Sequence, residues 1–327
     1  MNQPEYVRWE VASLARKQEA SGLRSKHTQT GARREIFSTE GAFARALMAP
    51  AMITMGVLLL LPAVYAFWMS LHKIHFGTRT YTFVGLRNYI DIFRDPRILN
   101  SFVNTLVFSL SVTVITLVLS LLLALLLNQD FKGRELCRAL LLVPWALAPL
   151  ANGLMWKWML NPRLGLLNNL LITLGLLKDY PNWLMNPRTA MLAVIIAMVY
   201  KTLPLITLLF LAALQSIPPQ LYEAAVIDGA GVLGSFRRIT LPLLKPSMVI
   251  ILVILSVNTL KAFDLIHVLT EGGPADATAV VNYMSYIQSF KLLRFGYGAA
   301  LAFIVSLIIL LFSMFYYKTM YTSVPYE

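Results

Sequence analysis

The feature that most constrains this chain is a series of six apolar segments, each long enough to cross a lipid bilayer. A bilayer hydrocarbon core of about 30 Å requires roughly 20 apolar residues in a helix. The segments are Ala46–Leu71, Ser101–Asn128, Ala139–Leu160, Met191–Ala213, Ser247–Ile266 and Gly296–Tyr317. Backbone N–H and C=O groups cannot stay unpaired in lipid, so segments of this kind must be helical. The sequence therefore predicts an all-α, polytopic membrane protein with six transmembrane helices.

The distribution of apolar residues divides the chain into an N-terminal segment, a helical domain and a tail. These are residues 1–45, 46–320 and 321–327. In the N-terminal segment, Val7, Val11 and Leu14 recur at helical spacing, which is typical of an amphipathic helix on a membrane surface. The polar stretch that follows is equally typical of a disordered segment. Both interpretations of residues 1–45 stay open.

Lysine and arginine placement predicts the orientation of the helices. These residues are more frequent in 1–45, 129–138 and 214–246 than in the loops between them. Basic residues concentrate on the cytoplasmic side of a membrane. We therefore expect a multi-pass protein with both termini in the cytoplasm. The net charge of +12 does not indicate a nucleic-acid partner, because the basic residues are scattered over short loops on both faces.

The loop 214–246, between the fourth and fifth apolar segments, is longer than a simple connection requires. Ser216 is placed to cap a short helix, and Gly229 is placed to end it in a left-handed conformation. A second short helix would follow, and Pro242 and Pro246 would end it before the membrane begins. Two short helices joined by a glycine predict a docking element on this face of the membrane.

The same loop resembles the "EAA" loop of the permease subunits of ATP-binding-cassette (ABC) importers. The matching positions are Glu223, Ala224, Ala225, Asp228, Gly229, Ala230, Phe236, Ile239, Leu241, Pro242 and Pro246. The resemblance implies that these residues form a cytoplasmic coupling helix that inserts into a groove on an ATPase subunit. It also implies that the small side chains Ala224, Ala225 and Ala230 allow another backbone to approach closely.

Further segments are similar to carbohydrate-importer permeases, and the resemblance covers nearly all of the chain after the first helix begins. The similar segments are Phe83–Tyr89, Leu214–Pro218 and Phe263–Pro274. On these residues the chain is identified as a maltose-permease-like subunit of an oligosaccharide importer. It departs from the best-known subunit of this kind, because it has six predicted helices instead of eight and no large extracytoplasmic domain.

The resemblance implies a set of partners in a bacterial inner (plasma) membrane. They are a second homologous permease subunit, two ABC ATPase subunits, a periplasmic or lipid-anchored substrate-binding protein, the lipid bilayer and an oligosaccharide. ATP and Mg²⁺ would be used by the ATPase subunits. This chain has no Gly-x-x-x-x-Gly-Lys-Ser/Thr motif and no nucleophile or carboxylate pair in a catalytic setting. We therefore predict no enzymatic activity, no catalytic residue, no cofactor and no metal site in it.

Polar and aromatic residues inside or next to the apolar segments are candidates for the substrate pathway, because such groups at membrane depth usually face the protein interior. They are Asn152, Trp156, Tyr200, Lys201, Asn258, Lys261, Tyr283 and Tyr286. Structural roles compete with this interpretation. Lys261 is spaced to pair with Asp264, and the aromatic residues suit a membrane-interface belt.

Three functions stay open. The first is import of an oligosaccharide, which could be acidic, of the uronate or alginate type. The excess of basic residues in the predicted outer loops suits an anionic solute and equally suits an acidic binding protein. The second is import of glycerol phosphate or a glycerophosphodiester. The third belongs to another class, an ion-coupled secondary carrier, which would need a buried carboxylate or a broken-helix ion site. Asp264 is the only carboxylate placed to serve it.

Overall fold

The computed structural model of the chain describes residues 39–75 and 80–321. Its helices are α1 (Thr39–Met55), α2 (Leu61–Ser70), α3 (Arg87–Ile92), α4 (Pro96–Leu127), α5 (Arg134–Ala146), α6 (Pro149–Met159), α7 (Leu166–Thr173), α8 (Pro187–Gln215), α9 (Pro219–Ile227), α10 (Val232–Ser235), α11 (Leu241–Leu260), α12 (Asp264–Leu269), α13 (Val281–Tyr286) and α14 (Phe295–Tyr321). Single π-helical turns lie at Gly56–Leu60, Phe236–Thr240 and Ile287–Lys291, and the strands are β1 (His72–His75) and β2 (Thr80–Phe83). The interpretations of the N-terminal residues before 39 and of the tail after 321 lie outside this range.

Five helical stretches in the described part of the chain are long and apolar enough to cross a membrane. They are Ala42–Ser70, Pro96–Leu127, Pro187–Gln215, Val232–Leu269 and Phe295–Lys318. A sixth crossing exists if α5 and α6, which meet at an angle of 95°, count together as one broken span. The prediction of a polytopic helical membrane protein is thus confirmed, but the prediction of one continuous third helix is wrong.

The third span breaks because of a proline inside an apolar stretch. Leu147 and Ala148 adopt extended backbone angles, with ψ of 134° and 145°, and Pro149 begins α6. A proline ring disfavours the helical conformation of the residue before it, so Ala148 is forced out of the helix. Hydropathy does not register this break, because every residue around it is apolar.

Helices α4 and α8 begin in the same way, with a capping side chain followed by proline. Asp95 accepts a hydrogen bond from the Arg97 amide at 2.9 Å, and Asn186 accepts one from the Arg188 amide at 3.0 Å. The proline after each cap has no N–H to leave unpaired, so it suits the first helical position. Both spans therefore begin several residues before the apolar segments that predicted them.

The chain divides into two compact units between Tyr65 and Ala66. The described part of the first unit contains α1, a π-helical turn and the start of α2. The Leu61 amide donates to the Gly56 carbonyl across this turn, immediately before Pro62. A proline ring clashes with the carbonyl four residues earlier in an α-helix, and the wider π-turn relieves that clash.

The core of the second unit is built from α4, α8 and α11, which are joined by small polar side chains. Ser109 on α4 and Thr259 on α11 share a hydrogen bond of 2.6 Å. The hydroxyl of Ser120 donates to the Leu203 carbonyl of α8 at 3.2 Å. Small residues let membrane helices approach closely, and their hydroxyls then bond across the contact. Fully buried rings, such as Phe108, fill the space beside them.

A short hairpin, which the sequence analysis did not predict, follows the first span. Strands β1 and β2 pair antiparallel, with His72 opposite Phe83. The Asn88 amide nitrogen of α3 donates to the carbonyls of Ser70 and His72 at 2.7 and 3.2 Å. The alternating Thr and aromatic residues of β2 suit a strand, but a pair this short is stable only with such tertiary support.

Candidate functional site

The loop 214–246 folds as two short helices, α9 and α10, joined by a tight turn. Pro218 occupies the N-cap position of α9 and Pro219 its first helical position. The prediction that Ser216 caps α9 is wrong, because its hydroxyl donates back to the Ala213 carbonyl of α8 at 2.8 Å. The chain therefore leaves α8 and enters α9 through a proline-directed corner, without a side-chain cap.

The turn after α9 is closed by a pair of backbone hydrogen bonds. The Gly229 amide donates to the Val226 carbonyl at 3.0 Å, and the Ala230 amide donates to the Ala225 carbonyl at 2.8 Å. This is the Schellman pattern, which requires a left-handed residue just after the helix. Gly229 has a φ of 76°, so the predicted left-handed conformation is confirmed.

The prediction that the prolines after α10 end the helix is wrong. Continuous helix runs from Val232 to Leu260 and passes through Pro242 and Pro246. A π-turn precedes Pro242, and the Leu241 amide donates to the Phe236 carbonyl across it. The same arrangement precedes Pro62 in the first span, and the physical reason is the same. The turn is thus connected to the membrane domain by continuous helix.

The loop is anchored on one side and exposes apolar residues on the other. The hydroxyls of Tyr222 and Thr240 lie 3.0 Å apart and link α9 to the π-turn. Ile227 and Val232 are 87% and 91% exposed, and both flank the turn. Val226 and Leu233, beside them, are also exposed. Exposed apolar patches of this kind mark interaction surfaces.

The structure distributes the nine predicted coupling residues over both sides of the loop. Exposed residues are Glu223, Ala224, Asp228, Gly229 and Pro242; half-buried residues are Ala230, Phe236 and Leu241; the buried residue is Ala225. The Ala225 side chain packs inward, so the exposed alanine on this side of the loop is Ala224. Sequence reasoning also missed the apolar pair Ile227 and Val232, since apolar residues beside a membrane segment give no separate signal.

A cleft of about 250 Å³ opens between the broken third span, α8 and the end of α11. Four of the predicted substrate-pathway residues line it: Asn152, Lys201, Asn258 and Lys261. The other lining residues are Trp145, Pro149, Met198, Thr202, Leu205, Ile206, Ala262, Phe263, Asp264 and Leu265. The structure thus brings together polar side chains that are far apart in the sequence.

Asn152 is fully buried and only partly hydrogen-bonded. Its amide nitrogen donates to the Ala197 carbonyl of α8 at 3.1 Å. Its amide oxygen has no partner among the described residues. A buried carbonyl without a partner is energetically costly, so such groups commonly have a functional reason. Asn152 therefore places a buried, unpaired hydrogen-bond acceptor in the wall of the cleft.

Lys201, on α8, makes a hydrogen bond to the backbone at the break in the third span. Its ammonium group donates to the Leu147 carbonyl, at the point where α5 ends. A carbonyl at a helix end lacks an intrahelical partner, and a cation is the most favourable group to supply one. Lys201 thus has a structural role that the sequence analysis did not foresee, in addition to lining the cleft.

The predicted pairing of Lys261 with Asp264 is not present. Helix α11 ends at Leu260, so the two residues do not occupy successive turns of one helix. The ion pairs among the described residues do not include either of them. Both side chains line the cleft together with Lys201. The cleft therefore holds two ammonium groups and one carboxylate.

The four predicted aromatic residues lie beside the cleft and not in its wall. Trp156 and Tyr200 pack edge to face, with ring centroids 5.8 Å apart. Tyr283 and Tyr286 pack on Phe263, with centroids 6.4 and 4.9 Å from it, and Phe263 lines the cleft. Burial and then the charges of nearby carboxylates raise the pKa of the Tyr283 phenol.

His267 is a member of this aromatic cluster that sequence reasoning missed. Its ring stacks on Phe263 at 5.2 Å, and its Nδ1 atom is buried without a partner among the described residues. A single histidine near the end of an apolar segment carries no pattern, so only the fold reveals its position. The arrangement offers flat aromatic faces beside amide and charged groups, which suits a polar ligand with apolar ring faces.

Comparisons with known proteins place this architecture among transport proteins. Residues 116–318 match the family described as "Binding-protein-dependent transport system inner membrane component". The trehalose/maltose transport system permease protein MalF of Thermococcus litoralis is 38% identical over 272 residues, which cover 83% of this chain and 91% of that protein. The sn-glycerol-3-phosphate transport system permease protein UgpA of Yersinia pestis is 36% identical over 283 residues, covering 86% and 95%.

Solved structures support the fold. The bacterial ABC transporter involved in the import of the acidic polysaccharide alginate contains a chain that superposes with a TM-score of 0.76 at 23% identity, covering 87% of this chain and 97% of that one. The spans and the helix–turn–helix loop define a multi-pass transport subunit of the membrane. The chain belongs to the family of binding-protein-dependent transport system inner membrane components.

Proposed function

We propose that this chain is the permease subunit of an ABC importer that moves an oligosaccharide from a substrate-binding protein into the cytoplasm. It would pair with a second homologous permease, and two ATPase subunits would supply the energy from ATP and Mg²⁺. The named relatives support this proposal, because they include permease proteins for trehalose or maltose and for glycerol phosphate. In this arrangement both termini and the loop 214–246 face the cytoplasm.

The loop 214–246 is the proposed contact with one ATPase subunit. Ile227 and Val232 present apolar surface at its tip, while Tyr222 holds its base against the membrane domain. Glu223 and Asp228 are exposed on the same short helix and would set the charge of the contact. A fixed turn with an apolar tip suits insertion into a groove on a partner protein.

The cleft beside the broken third span is the proposed sugar pathway, and it is the observation that carries the assignment. Asn152 and Asn258 supply amide groups, Lys201 and Lys261 supply cations, and Phe263 supplies an aromatic face. Ligand sites typically combine a mainly apolar lining with a few placed polar groups. Because the cleft lies between helices of the membrane domain, a solute bound there would be inside the membrane and not on its surface.

The charge of the cleft favours an acidic oligosaccharide over a neutral one. Lys201 and Lys261 outnumber Asp264, so a carboxylate on the sugar would meet a net positive charge. A second candidate substrate is glycerol phosphate or one of its diesters, which the 36% identity to UgpA specifically favours. The two anionic classes differ in size and in the number of hydroxyl groups that they offer to Asn152 and Asn258.

The assembled transporter provides the test. This chain would be co-expressed with its partner permease and ATPase subunit and reconstituted into liposomes. ATP hydrolysis and uptake would be measured with a binding protein loaded with neutral oligosaccharides, acidic oligosaccharides or glycerol phosphate. We expect stimulation by one loaded binding protein, which would name the substrate. Failure to assemble with any ATPase would refute the proposal, as would an ATP hydrolysis rate that no loaded binding protein changes. Either result would favour an ion-coupled carrier.

A paired substitution separates the acidic from the neutral substrate. Lys261→Gln removes a cleft cation, whereas Lys291→Gln removes an exposed cation outside the cleft. A hydrogen bond to a charged group is worth about 1.5–3 kcal/mol, so Lys261→Gln should lower uptake of an acidic solute by about tenfold or more. The Lys291 variant should transport normally. Equal uptake by both variants would remove the acidic-substrate assignment.

A further inference from the structure

The short helix α7 exposes leucines on one side and buries an amide on another, while Leu167 packs against the core. Leu166, Leu170 and Leu174 are 65%, 52% and 62% exposed. Residues four apart lie on the same side of a helix, so these three form one surface, here called the leucine face. In a water-soluble setting the opposite arrangement is expected, because apolar side chains turn inward.

A buried amide fixes the orientation of the leucine face. Asn168 is fully buried on the opposite side of α7. Its amide nitrogen donates to the carbonyls of Pro162 and Pro181, each at 3.2 Å, and its amide oxygen accepts from the Trp183 indole N–H at 2.6 Å. Rotation of α7 to bury the leucines would break all three bonds. The outward direction of the leucine face is therefore built into the fold.

The position of α7 places the leucine face at the level where the chain leaves the membrane. The helix follows α6, the second half of the broken span, and precedes α8, which crosses the membrane again. It therefore lies at the end of α8 opposite to the loop 214–246. The neighbouring Leu164 and Leu176 are also exposed and extend the apolar surface.

Cationic and aromatic residues flank α7 in the sequence. Arg163, Lys178 and Arg188 are exposed, and the ion pairs of the described chain include none of them. Trp158 and Tyr180 are exposed as well. Aromatic rings and cations concentrate at the boundary between lipid and water, where phosphate groups complement the cations.

We propose that α7 is an interfacial helix whose leucine face inserts between the lipids of the leaflet opposite to the loop 214–246. Arg163, Lys178 and Arg188 contact the phosphates of the same lipids. Asn169 is exposed on the flank of the leucine face, about 100° around the helix from Leu170, and faces water. Interfacial helices bury their apolar side in the boundary between head groups and acyl chains. The helix thus anchors the outer ends of α6 and α8 in the bilayer.

The test compares two neighbouring positions in the assembled transporter. In a Cys137→Ser background, the single variants Leu170→Cys and Asn169→Cys would carry an environment-sensitive fluorophore. The vesicles would contain phosphatidylethanolamine and phosphatidylglycerol, with a fraction of lipid that bears a nitroxide near the head group. Uptake activity of each labelled variant would verify that the transporter is intact.

We expect the fluorophore at Leu170 to be quenched several-fold more by the nitroxide lipid than by aqueous iodide. The fluorophore at Asn169 should show the reverse preference. Quenching of both positions by iodide would show that the leucine face is exposed to water. Protection of Leu170 from both quenchers would show that a protein subunit covers it. Either of these results would overturn the proposal.

Discussion

Replacement of Gly229 is the sharpest test of the coupling loop, because the structure isolates one physical cost. Gly229 has a φ of 76°, and no atom lies within 4 Å of the position that a Cβ would occupy. The variant Gly229→Ala would therefore meet no steric contact with the rest of the chain. Its cost would come only from the left-handed backbone, which amounts to roughly 1–2 kcal/mol for a residue with a Cβ.

That cost acts on the turn whose two backbone hydrogen bonds orient α10 against α9. A penalty of about 1–2 kcal/mol reduces the population of the native turn relative to alternatives by about 5–30-fold. Because the proposed function requires this turn to fit an ATPase subunit, we expect uptake per ATP hydrolysed to fall in proteoliposomes. Gly229→Val should be worse than Gly229→Ala, and Gly229→Asn should be milder, since Asn tolerates the left-handed region.

Gly231 provides the matched control in the same loop. It is also exposed with open space around its Cβ position, but its φ is −74°. The variant Gly231→Ser, which keeps a favourable N-cap residue for α10, should therefore couple hydrolysis to uptake normally. The amount of assembled transporter in the membrane would be measured for every variant. Equal damage at both positions, or intact coupling in Gly229→Val, would refute the argument from backbone conformation.

Other predictions concern the packing of the membrane domain. Asn168→Ala should lower the free energy of unfolding by about 2–4 kcal/mol, because several buried groups would lose their hydrogen-bond partners. Exposed Asn169→Ala should change this free energy little. Thermal unfolding in detergent would measure both variants. A double-mutant cycle on Ser109 and Thr259 should give a coupling energy of only about 0.6 kcal/mol, as is usual inside membranes, and a value several times larger would contradict this. Gly296→Ala should lower the free energy of unfolding by about 1–3 kcal/mol or more in the same assay, because the new Cβ would lie 1.9 Å from the backbone carbonyl oxygen of His72 in β1. Unchanged stability would count against this close approach of α14 to β1.

The prolines show why the spans were easier to predict than their interruptions. Pro149 breaks the third span because Ala148 before it is extended, whereas Leu241 before Pro242 keeps helical angles of −65° and −43°. Both prolines follow an apolar residue, so the residue before each proline does not distinguish them. The difference arises from the π-turn before Pro242 and from Lys201, which supplies a partner at the break. Neither the π-turn nor the Lys201 hydrogen bond can be read from the sequence around the proline.

The site was predictable to a similar degree. Polar residues at membrane depth indicated the cleft, because the cost of burying them predicts that they face inward, and four of the eight candidates line it. The four aromatic candidates lie beside the cleft and not in its wall. Their positions depend on ring packing against neighbours such as Phe263, which the sequence pattern cannot place. His267 and the exposed pair Ile227 and Val232 escaped notice because single residues of common type form no motif.

The unbroken helix from Val232 through Pro242 and Pro246 has a mechanical consequence. At 1.5 Å per residue, about 40 Å separate Val232, at the turn, from Asn258, at the cleft. When a helix of that length tilts as one body, rotation is converted into displacement, so a tilt of about 4° at its base would shift Asn258 by about 3 Å. That distance is the length of one hydrogen bond. A small rotation imposed at one face of the membrane would thus suffice to make or break a contact with a solute deep inside it.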